Sequence, residues 1–499
     1  MKFNKQLCAE ALFFPLIVIA TSATTPVEAM QEAEPAPRPV SCSQRRQAGR
    51  GAISALPLSN ESNRRRHMRT FSARVGFAVM LICFGAAIVT AQSTNASDSV
   101  DGRWNASLIE NGMVIPFRLD ISGSGSTVKG TFYDGFKPYD ATTSGTFQNG
   151  KLVLNVEHYL TTITATLNNG QLTGNVVAQS RTGSTQYGFQ ATRYVASASA
   201  SVNAPSIAGS WEIPLNSPSP KGEKAFRFIV QQNGPDVAAS ILRVDGDTGA
   251  YSGTYKEGKW VLSHFDGSRP GVIEVSLSSE GTLEILQLAG PPSTKLVAYR
   301  PDVARAKGFP EPENYETHTT VRDPNEKFVF NFPDVNGKPV SNDDPRFKGK
   351  VVLAIVTGTW CPNCHDEAKY LVQLDKKYHD RGLAIVALDF EEPEQQESLE
   401  RERAFVKQYG VTYTYLIAGA PSDLGEKVPQ LVNLNTWPAT VFVGRDGRVK
   451  GIHSGFASPA SAEFNRQLQQ EFTAKIEQLL AEPAGREPAT PATPPKLGQ

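Results

Sequence analysis

Two cysteines separated by two residues are the part of this 499-residue sequence that most directly suggests chemistry. Cys361 and Cys364 lie in the stretch GTWCPNCHDEAKY, and His365 follows them directly. The spacing matches two patterns, the CxxC of thiol–disulfide exchange and the CxxCH of c-type haem attachment. A disulfide between the two would close a very short loop and would add little stability. The pair is therefore better explained by reactivity than by cross-linking.

The segments on either side of the cysteines predict where the pair lies in the fold. KVVLAIVTG (350–358) has the continuous apolar composition of a buried strand, and a helix is predicted from about Pro362 to His379. Cys361 would then lie where the helix begins. There, unpaired backbone N–H groups and the positive end of the helix dipole favour the thiolate, which is the attacking form.

From residue 328 onward, strand and helix patterns alternate. The further segments are a hairpin (328–332 and 335–340), a strand (383–390), a Glu-rich helix that ends near residue 409, a second hairpin (438–444 and 448–455) and a helix (461–480). This order predicts an α/β sheet with helices on both faces. The acidic run from Glu391 to Glu402 predicts a solvated helix face.

Several features of this region, in this order, resemble the thioredoxin superfamily. The strand leads into Trp360 and the CPNC motif, and TWPAT (436–440) and VFVGRDGRV (441–449) follow about 75 residues later. The hairpin NFPDVNGKPV, the strand KGKVVL and Glu367 are similar to the TlpA/ResA branch of extracytoplasmic thiol–disulfide reductases. The resemblance covers about residues 325–480 and implies a thioredoxin-like domain at 328–481.

The resemblance also implies roles for individual residues. Cys361 would attack the substrate disulfide, and Cys364 would resolve the mixed disulfide. Pro438 would be a cis-proline that faces the two cysteines, and Glu367 would tune the thiol pKa values and handle protons. The residues expected to contact the substrate are Trp360, Pro362, Asn363, Trp437 and Pro438.

Two positions depart from the pattern of the superfamily. Cytoplasmic thioredoxins carry a buried acid six residues before the first cysteine, where this chain has Ile355. Proton handling would then fall to Glu367 or His365. Trp437 is bulkier than the residues common before the proline, which alters the expected substrate selectivity.

The region before the cysteines predicts two copies of one β-domain. Residues 100–195 contain short alternating strands, such as KLVLNV (151–156), separated by Asn-Gly turns. This pattern predicts an antiparallel sandwich or small barrel. Residues 206–300 repeat it, because SGTFQNGKLVL (144–154) matches SGTYKEGKWVL (252–262) at seven of eleven positions.

Four side chains of these copies could belong to a ligand site. Trp104 and Trp211 open the first strand of each copy, and His158 and His264 follow the matched strands. Tryptophans at such positions are more typical of a core than of a ligand site. We interpret the histidines as half-buried polar residues rather than as metal ligands.

The N-terminal residues predict targeting sequence. The apolar run 75–91 follows Arg69 and Arg74 and ends in small residues, which indicates a signal peptide (68–91) or an uncleaved membrane anchor. Residues 1–67 are interpreted as disordered, or as preceding a true start at Met68. Either interpretation places the protein in the periplasm or elsewhere outside the cytoplasm. A linker is predicted at 301–327 and a disordered tail at 482–499.

These observations favour an exported oxidoreductase that reduces disulfides in oxidised protein substrates without a cofactor or metal. Such thiols need electrons from elsewhere, and the resemblance implies a membrane electron-transfer protein as the donor. The charge balance, 50 Lys and Arg against 50 Asp and Glu, argues against a nucleic-acid partner.

Other functions would use the same residues differently. The β-domains could bind a ligand or partner while the CxxC senses redox state. A peroxiredoxin-like thiol peroxidase would have Thr or Ser where Gly358 stands. Haem attachment would need His379 or His453 as the second axial ligand, and zinc would need four ligands from two cysteines and scattered histidines.

Overall fold

The computed structural model describes residues 99–180, 183–195, 203–288 and 294–483. The predicted signal peptide or anchor, residues 1–67 and nearly all of the predicted tail lie outside these ranges. Within the ranges, no helix combines the length and the apolar character needed to cross a bilayer. Two β-sheet regions come first along the chain, and an α/β domain follows.

The first β-domain is one antiparallel sheet of nine strands in the order β4-β3-β2-β1-β9-β8-β7-β6-β5. Asn149 and Gly150, at φ 49° and 74°, form the turn that the Asn-Gly pair predicts. A hydrogen bond from Val128 N to Gly145 O (3.2 Å) helps to bring the two ends of the sheet together, so the sheet is barrel-like. The strands are β1 (Gly102–Glu110), β2 (Met113–Ser122), β3 (Lys129–Asp134), β4 (Lys137–Ala141), β5 (Ser144–Gln148), β6 (Lys151–Val156), β7 (Thr161–Asn168), β8 (Gln171–Ser180) and β9 (Gly183–Arg193).

The second β-domain is also a nine-stranded antiparallel sheet, with the order β10-β11-β12-β14-β15-β16-β17-β18 and β13 paired to β12. Glu212 and Tyr299 exchange two backbone hydrogen bonds of 2.8 Å, which join the first strand to the end of the last. This sheet is therefore barrel-like as well. The strands are β10 (Gly209–Pro214), β11 (Ala225–Asn233), β12 (Asp236–Arg243), β13 (Gly246–Asp247), β14 (Tyr251–Lys256), β15 (Lys259–His264), β16 (Gly271–Leu277), β17 (Leu283–Gln287) and β18 (Thr294–Ala298).

Trp104 and Trp211 occupy equivalent places in the two sheets. Both indoles are buried in the core, as we interpreted them from sequence. Each indole N–H donates a 2.8 Å hydrogen bond to the carbonyl oxygen four residues earlier. A guanidinium lies over each ring, that of Arg193 at 4.2 Å from Trp104 and that of Arg300 at 3.7 Å from Trp211.

Residues 301–327, predicted to be a linker, contain regular structure instead. Pro301 opens the short helix α1 (Pro301–Ala306), as its fixed φ allows at a first helical position. Strand β19 (Thr320–Val321) pairs with β25 (Leu431–Val432) of the C-terminal domain. His318 is buried, and its Nε2 lies 2.7 Å from Asn435 Oδ1. Contacts with later residues, which composition does not reveal, hold this segment in place.

The C-terminal domain contains a five-stranded sheet in the order β24-β23-β22-β26-β27. The first three strands are mutually parallel, and the last two are antiparallel to their neighbours. The strands are β22 (Val351–Thr357), β23 (Leu383–Phe390), β24 (Thr414–Gly419), β26 (Ala439–Val443) and β27 (Val449–Ser454), with a hairpin of β20 (Asn331–Pro333) and β21 (Pro339–Ser341) before them. The helices are α2 (Pro362–Tyr378), α3 (Pro393–Ser398), α4 (Glu400–Tyr409), α5 (Leu424–Lys427) and α6 (Glu463–Ala481).

The three longest helices, α2, α4 and α6, cover one face of this sheet. Ile355 packs in one cluster with residues of α2 and α6, and Phe405 of α4 packs on Ala368 of α2. The opposite face, with Ala354, is covered by the N-terminal phenylalanines and the four-residue helix α5. Helices therefore lie on both faces, as predicted, but unevenly, because the three longest share one face and the short α5 lies on the other. The chain moves in one direction from β22 to β24, so right-handed crossovers place both connecting helices on the same side.

A buried carboxylate joins the second β-domain to the C-terminal domain. Asp247 accepts hydrogen bonds from Ser458 N (2.7 Å), Ser458 Oγ (2.9 Å) and Ser461 Oγ (2.6 Å). Its own loop adds a fourth bond, from Gly249 N at 2.9 Å. Because Asp247 is almost fully buried, these donors take the place of the water that would otherwise solvate the charge.

We predict that Asp247→Ala weakens this contact. The substitution leaves the buried Ser458 N–H and two serine hydroxyls without their acceptor, so the free energy of unfolding should fall by about 2–3 kcal/mol. Urea denaturation followed by tryptophan fluorescence measures the change. Glu280→Ala, at an exposed turn of the same β-domain, is the control and should change stability by less than about 0.5 kcal/mol. Equal stability of the two variants would contradict a stabilising role for Asp247.

Candidate active site

Cys361 lies between β22 and α2, at the position that sequence analysis predicted. It is the residue before the first turn of α2, and Cys364 N donates to Cys361 O over 3.0 Å. Both cysteines are in the thiol form, and both are buried. Burial, together with the neighbouring Cys361 sulfur, raises the pKa of the Cys364 thiol well above its usual value. Cys364 therefore needs a base if it is to react as a thiolate.

Pro438 lies beside the cysteine pair. The peptide bond between Trp437 and Pro438 is cis, and the Cys361 thiol donates to Trp437 O over 3.4 Å. The ring centroids of Trp360 and Trp437 lie 5.4 Å apart, and the indole N–H of Trp360 donates to Phe390 O over 2.8 Å. The structure thus brings together both cysteines and both tryptophans, with Pro438 among them.

Glu367 is buried one helical turn beyond Cys364. Thr440 Oγ1 donates a 2.5 Å hydrogen bond to Glu367 Oε1, while Oε2 has no hydrogen-bond partner in the part of the chain that the structure describes. Burial raises the pKa of Glu367 to about 8, even though the bond from Thr440 favours the carboxylate. Thr440 pairs with Ile355 across the sheet, beside the position where cytoplasmic thioredoxins carry their acid.

Sequence analysis did not assign roles to Thr440 and Tyr413. Thr440 was visible as the second residue after Pro438, but nothing in the sequence linked it to Glu367. Burial raises the pKa of the Tyr413 phenol, and the negative charges of Glu367, Asp375 and Cys364 raise it further. Tyr413 therefore lies within electrostatic range of both Glu367 and Cys364.

His365 does not face the thiols. Its Nε2 lies 2.6 Å from Thr359 O, a carbonyl that can only accept, so Nε2 carries the proton. Nδ1 then accepts from Tyr409 OH at 2.9 Å. Burial lowers the pKa of His365 well below its usual value. Tyr159 of the first β-domain packs on the ring, with centroids 4.2 Å apart, so the neutral imidazole belongs to a contact between domains.

The structure also separates Asn363 from the other residues predicted to contact substrate. Asn363 is buried, and its Nδ2 donates to Asp245 O of the second β-domain over 2.9 Å. The second β-domain therefore covers Asn363. The resemblance could not reveal this, because the β-domains lie outside it. Trp360, Pro362 and Trp437 remain partly exposed.

A buried polar cluster supports the loop before Cys361. Glu391 Oε1 accepts from Thr359 Oγ1 at 2.5 Å, and Glu391 Oε2 accepts from Arg401 Nη2 at 2.6 Å. Oxygen atoms of Asp389, Glu391 and Glu402 lie within 4.8 Å of one another, which makes these three the candidate metal ligands in the described ranges. Burial and the charge of Glu391 raise the pKa of Glu402 to about 7 and that of Asp389 well above its usual value. Protonation of these acids relieves the repulsion between them.

The prediction of a solvated helix face at Glu391–Glu402 was wrong at both ends. Glu391 and Glu402 are fully buried, whereas Glu394 between them is exposed. The predicted single helix is also divided at Leu399, where φ is 49°. Arg401 compensates the charge of Glu391, and a count of acidic residues does not reveal that pairing.

Sequence comparison relates the C-terminal domain to known proteins. The sequence model of the Redoxin family matches residues 321–468. The thiol-disulfide oxidoreductase ResA of Bacillus thuringiensis is 32% identical over 120 residues, which are 24% of this chain and 62% of the relative. The chain thus spans less than two thirds of the length of the ResA proteins that it matches. The thioredoxin-like protein YneN of Bacillus subtilis is 32% identical over 128 residues, 25% of this chain and 68% of the relative.

A solved structure of a thiol:disulfide interchange protein from Chlorobium tepidum is also similar. It is 24% identical with a TM-score of 0.24, and the match covers 32% of this chain and 99% of that one. All of these matches are partial and cover a third of this chain or less. Through its C-terminal domain, the chain belongs to the thioredoxin superfamily and is similar to the thiol-disulfide oxidoreductase ResA and to YneN.

Proposed function

We propose that this protein is an exported thiol–disulfide oxidoreductase that reduces disulfides in protein substrates. The observation that carries the proposal is the position of Cys361, at the first turn of a 17-residue helix and 3.4 Å from the backbone next to Pro438. The N-terminal end of a helix is a position where backbone N–H groups and the helix dipole favour a negatively charged group. Pro438 has no N–H, which leaves the adjoining backbone to pair with an extended substrate.

The reaction proceeds in two exchange steps. The Cys361 thiolate attacks one sulfur of the substrate disulfide, a new S–S bond forms, and the first substrate sulfur leaves as a thiolate that takes up a proton. The Cys364 sulfur then attacks Cys361, and the second substrate sulfur leaves. The substrate gains two electrons and two protons, and the enzyme is left with a Cys361–Cys364 disulfide.

Glu367 serves the second step. The Cys364 thiol must lose its proton, and its high pKa prevents spontaneous loss at neutral pH. Glu367 lies three residues further along α2, on the same side of the helix. Because the pKa of Glu367 is about 8, its carboxylate is a stronger base than an exposed glutamate. Glu367 accepts this proton.

Reduction outside the cytoplasm requires an electron source. Export is supported by the apolar run 75–91 and its flanking arginines. The oxidised enzyme would be reduced again by a membrane electron-transfer protein, because the compartment itself is oxidising. The peroxidase alternative lacks support. A Cβ atom at Gly358, where a peroxiredoxin needs Thr or Ser, would collide with the indole nitrogen of Trp360.

We also propose that the two β-domains arose by duplication. The sequence match between 144–154 and 252–262 supports this, since the two segments occupy β5–β6 and β14–β15. The shared arrangement of a buried tryptophan under an arginine supports it as well. The second domain would then have kept the strand order of the first and changed its contacts with the C-terminal domain.

Replacement of each cysteine by serine separates the two steps. Cys364→Ser should accumulate a covalent mixed disulfide with an oxidised client such as scrambled ribonuclease, which carries non-native disulfides, because the resolving sulfur is gone. Cys361→Ser should form none, because Cys364 is buried and its thiol pKa is high. Non-reducing electrophoresis with mass spectrometry measures the adduct. Equal adduct in both variants would contradict the assignment of Cys361 as the nucleophile.

Loss of reductase activity in Cys361→Ser with unchanged partner binding would favour an enzyme over a redox-sensing binding protein.

The direction of the reaction is tested by equilibrium redox titration against dithiothreitol and glutathione buffers. Thiol trapping reports the state of Cys361 and Cys364. A reductase should have a midpoint near or below about −230 mV, whereas an oxidant that installs disulfides would lie near about −120 mV. The Cys361→Ser variant is the control and should show no two-electron step. A wild-type protein without such a step would overturn the proposed function altogether.

Glu367→Gln should slow the resolution of the mixed disulfide by about 100-fold at pH 8, since the base is lost. In the wild-type protein the rate should rise with pH and level off above about 8, because Glu367 holds its proton at lower pH. The variant should lack this inflection. Quenched-flow trapping of the mixed disulfide gives both rates, and Glu394→Gln, at an exposed site, should behave as wild type.

The raised pKa of Glu367 also affects stability. Between pH 4.5 and about 8, the folded protein keeps this proton while the unfolded chain has lost it. The free energy of unfolding should therefore fall as pH rises through this window, and it should fall less in Glu367→Gln. A variant with the same pH dependence as wild type would show that Glu367 titrates normally.

A further inference from the structure

A cavity of about 350 Å³ lies where both β-domains meet the loop that carries the cysteines. Trp360 and Pro362, the residues on either side of Cys361, form part of its wall. The first β-domain contributes Tyr159 and Tyr187, and the second contributes Phe265. A group bound in this cavity would therefore lie next to a disulfide that Cys361 attacks.

The charged residues that line the cavity are two arginines, and no carboxylate is among the described lining residues. Arg269 donates through Nη2 to Asp266 (2.6 Å) and through Nη1 to Asp366 (3.2 Å). Its Nε is buried, and no described residue accepts a hydrogen bond from it. The Nε–H group of Arg269 is thus a donor without an acceptor in the part of the chain that the structure describes.

Arg401 also lines the cavity. Its Nε donates to Thr359 Oγ1 (2.9 Å) and its Nη2 donates to Glu391 (2.6 Å), so Nη1 takes part in neither of these two bonds. The hydroxyls of Tyr159 and Ser268 also line the cavity and lie close enough to interact with each other, but neither makes a hydrogen bond of good geometry to a described residue. Buried polar atoms are normally hydrogen-bonded. The donors of the arginines and hydroxyls in this wall therefore suit a ligand that accepts hydrogen bonds.

The carboxylates that pair with the two arginines do not prevent an anion from binding in the cavity. Burial raises the pKa of Asp366 to about 7, so its negative charge is partly lost near neutral pH. Asp266 and Glu391 remain, each paired with one guanidinium and neither in the cavity wall. An anion in the cavity would therefore meet positive groups and hydroxyl donors first.

We propose that this cavity binds an acidic side chain next to a cysteine of the substrate, so that the enzyme prefers disulfides flanked by Asp or Glu. The inference rests on the proposed function and gives it a substrate class. The aromatic walls would hold the stem of the side chain, and a carboxylate would complete the hydrogen bonds of Arg269 and Arg401. The β-domains would then act as the specificity unit of the enzyme.

The test compares two probes with the reduced full-length protein. They are the disulfide-linked dimers of N-acetyl-Ala-Glu-Cys-amide and N-acetyl-Ala-Gln-Cys-amide, which differ only in the charge next to the cysteine. Each reaction converts one peptide disulfide into two thiols while the enzyme pair is oxidised. Stopped-flow tryptophan fluorescence gives the second-order rate constants. We expect the Glu peptide to react about tenfold faster, in proportion to one charged hydrogen bond.

Substitution of an exposed residue that lines the cavity should then change the ratio of the two rate constants without breaking a buried contact. Gln179 lines the cavity from strand β8 and is exposed. Gln179→Glu should lower the ratio of the Glu to the Gln rate constant by about threefold, and Gln179→Lys should raise it by a similar factor. Gln171→Glu, on the same strand and also exposed, lies about 26 Å away and should leave the ratio unchanged.

The outcomes separate this inference from the proposed function. Equal rate constants for the two peptides, or a ratio that Gln171→Glu changes as much as Gln179→Glu, would overturn the acidic preference and leave the oxidoreductase intact. No reaction with either peptide would overturn the proposed function itself. Dithiodiacetate is a third probe. If it reacts faster than the Glu peptide, the cavity serves small acidic disulfides and the peptide assignment is wrong.

Discussion

Helix α2 is buried on two sides, against its own sheet and against the β-domains, and the rest of the structure follows from that constraint. A polar group on such a helix cannot reach water, so it must find a partner on another element. Twelve of the 17 residues of α2 are buried, and polar ones among them bond to partners from several segments: Asn363 to Asp245 O, His365 to Thr359 O, Asp366 to Arg269, Glu367 to Thr440 and Asp375 to Thr412.

The same constraint sets the chemistry of the site. Desolvation raises the pKa values of Cys364 and Glu367, because neither charged form is solvated. Cys361, at the end of the helix, has the helix N–H groups beside it. In the proposed mechanism, one helix thus provides the nucleophile, the resolving thiol and the base. The three groups differ in where each side chain lies along the helix.

The β-domains take part in this burial through matching histidines. His158 lies 3.3 Å from Asp140, and His264 lies 3.4 Å from Asp266. Both histidines are fully buried, rather than half-buried as the sequence led us to expect. The ring centroid of His158 also lies 5.6 Å from that of His365. One imidazole of the first β-domain and one of α2 therefore take part in the contact between these two domains.

Local patterns predicted much of this protein, and contacts between domains account for what they missed. The strand at 383–390 and the helix that begins at Pro362 were readable, because apolar runs and a helix start are local signals. Strand β24 was missed, since six residues at the edge of a sheet carry little pattern of their own. The cysteines were evident from spacing, whereas the burial of Asn363 and the place of His365 depend on β-domains distant in sequence.

The polar residues on the outer side of α2 have a consequence for the way the β-domains are attached. Asn363, His365, Asp366 and Lys369 are residues typical of a helix that meets water, yet three of them are buried. A buried polar contact exchanges hydrogen bonds to water for hydrogen bonds within the protein, so each bond adds little net stability, while a donor or acceptor left unpaired is costly. Attachment at this helix therefore depends on the match of individual groups, such as Asp366 with Arg269 and Asn363 with Asp245.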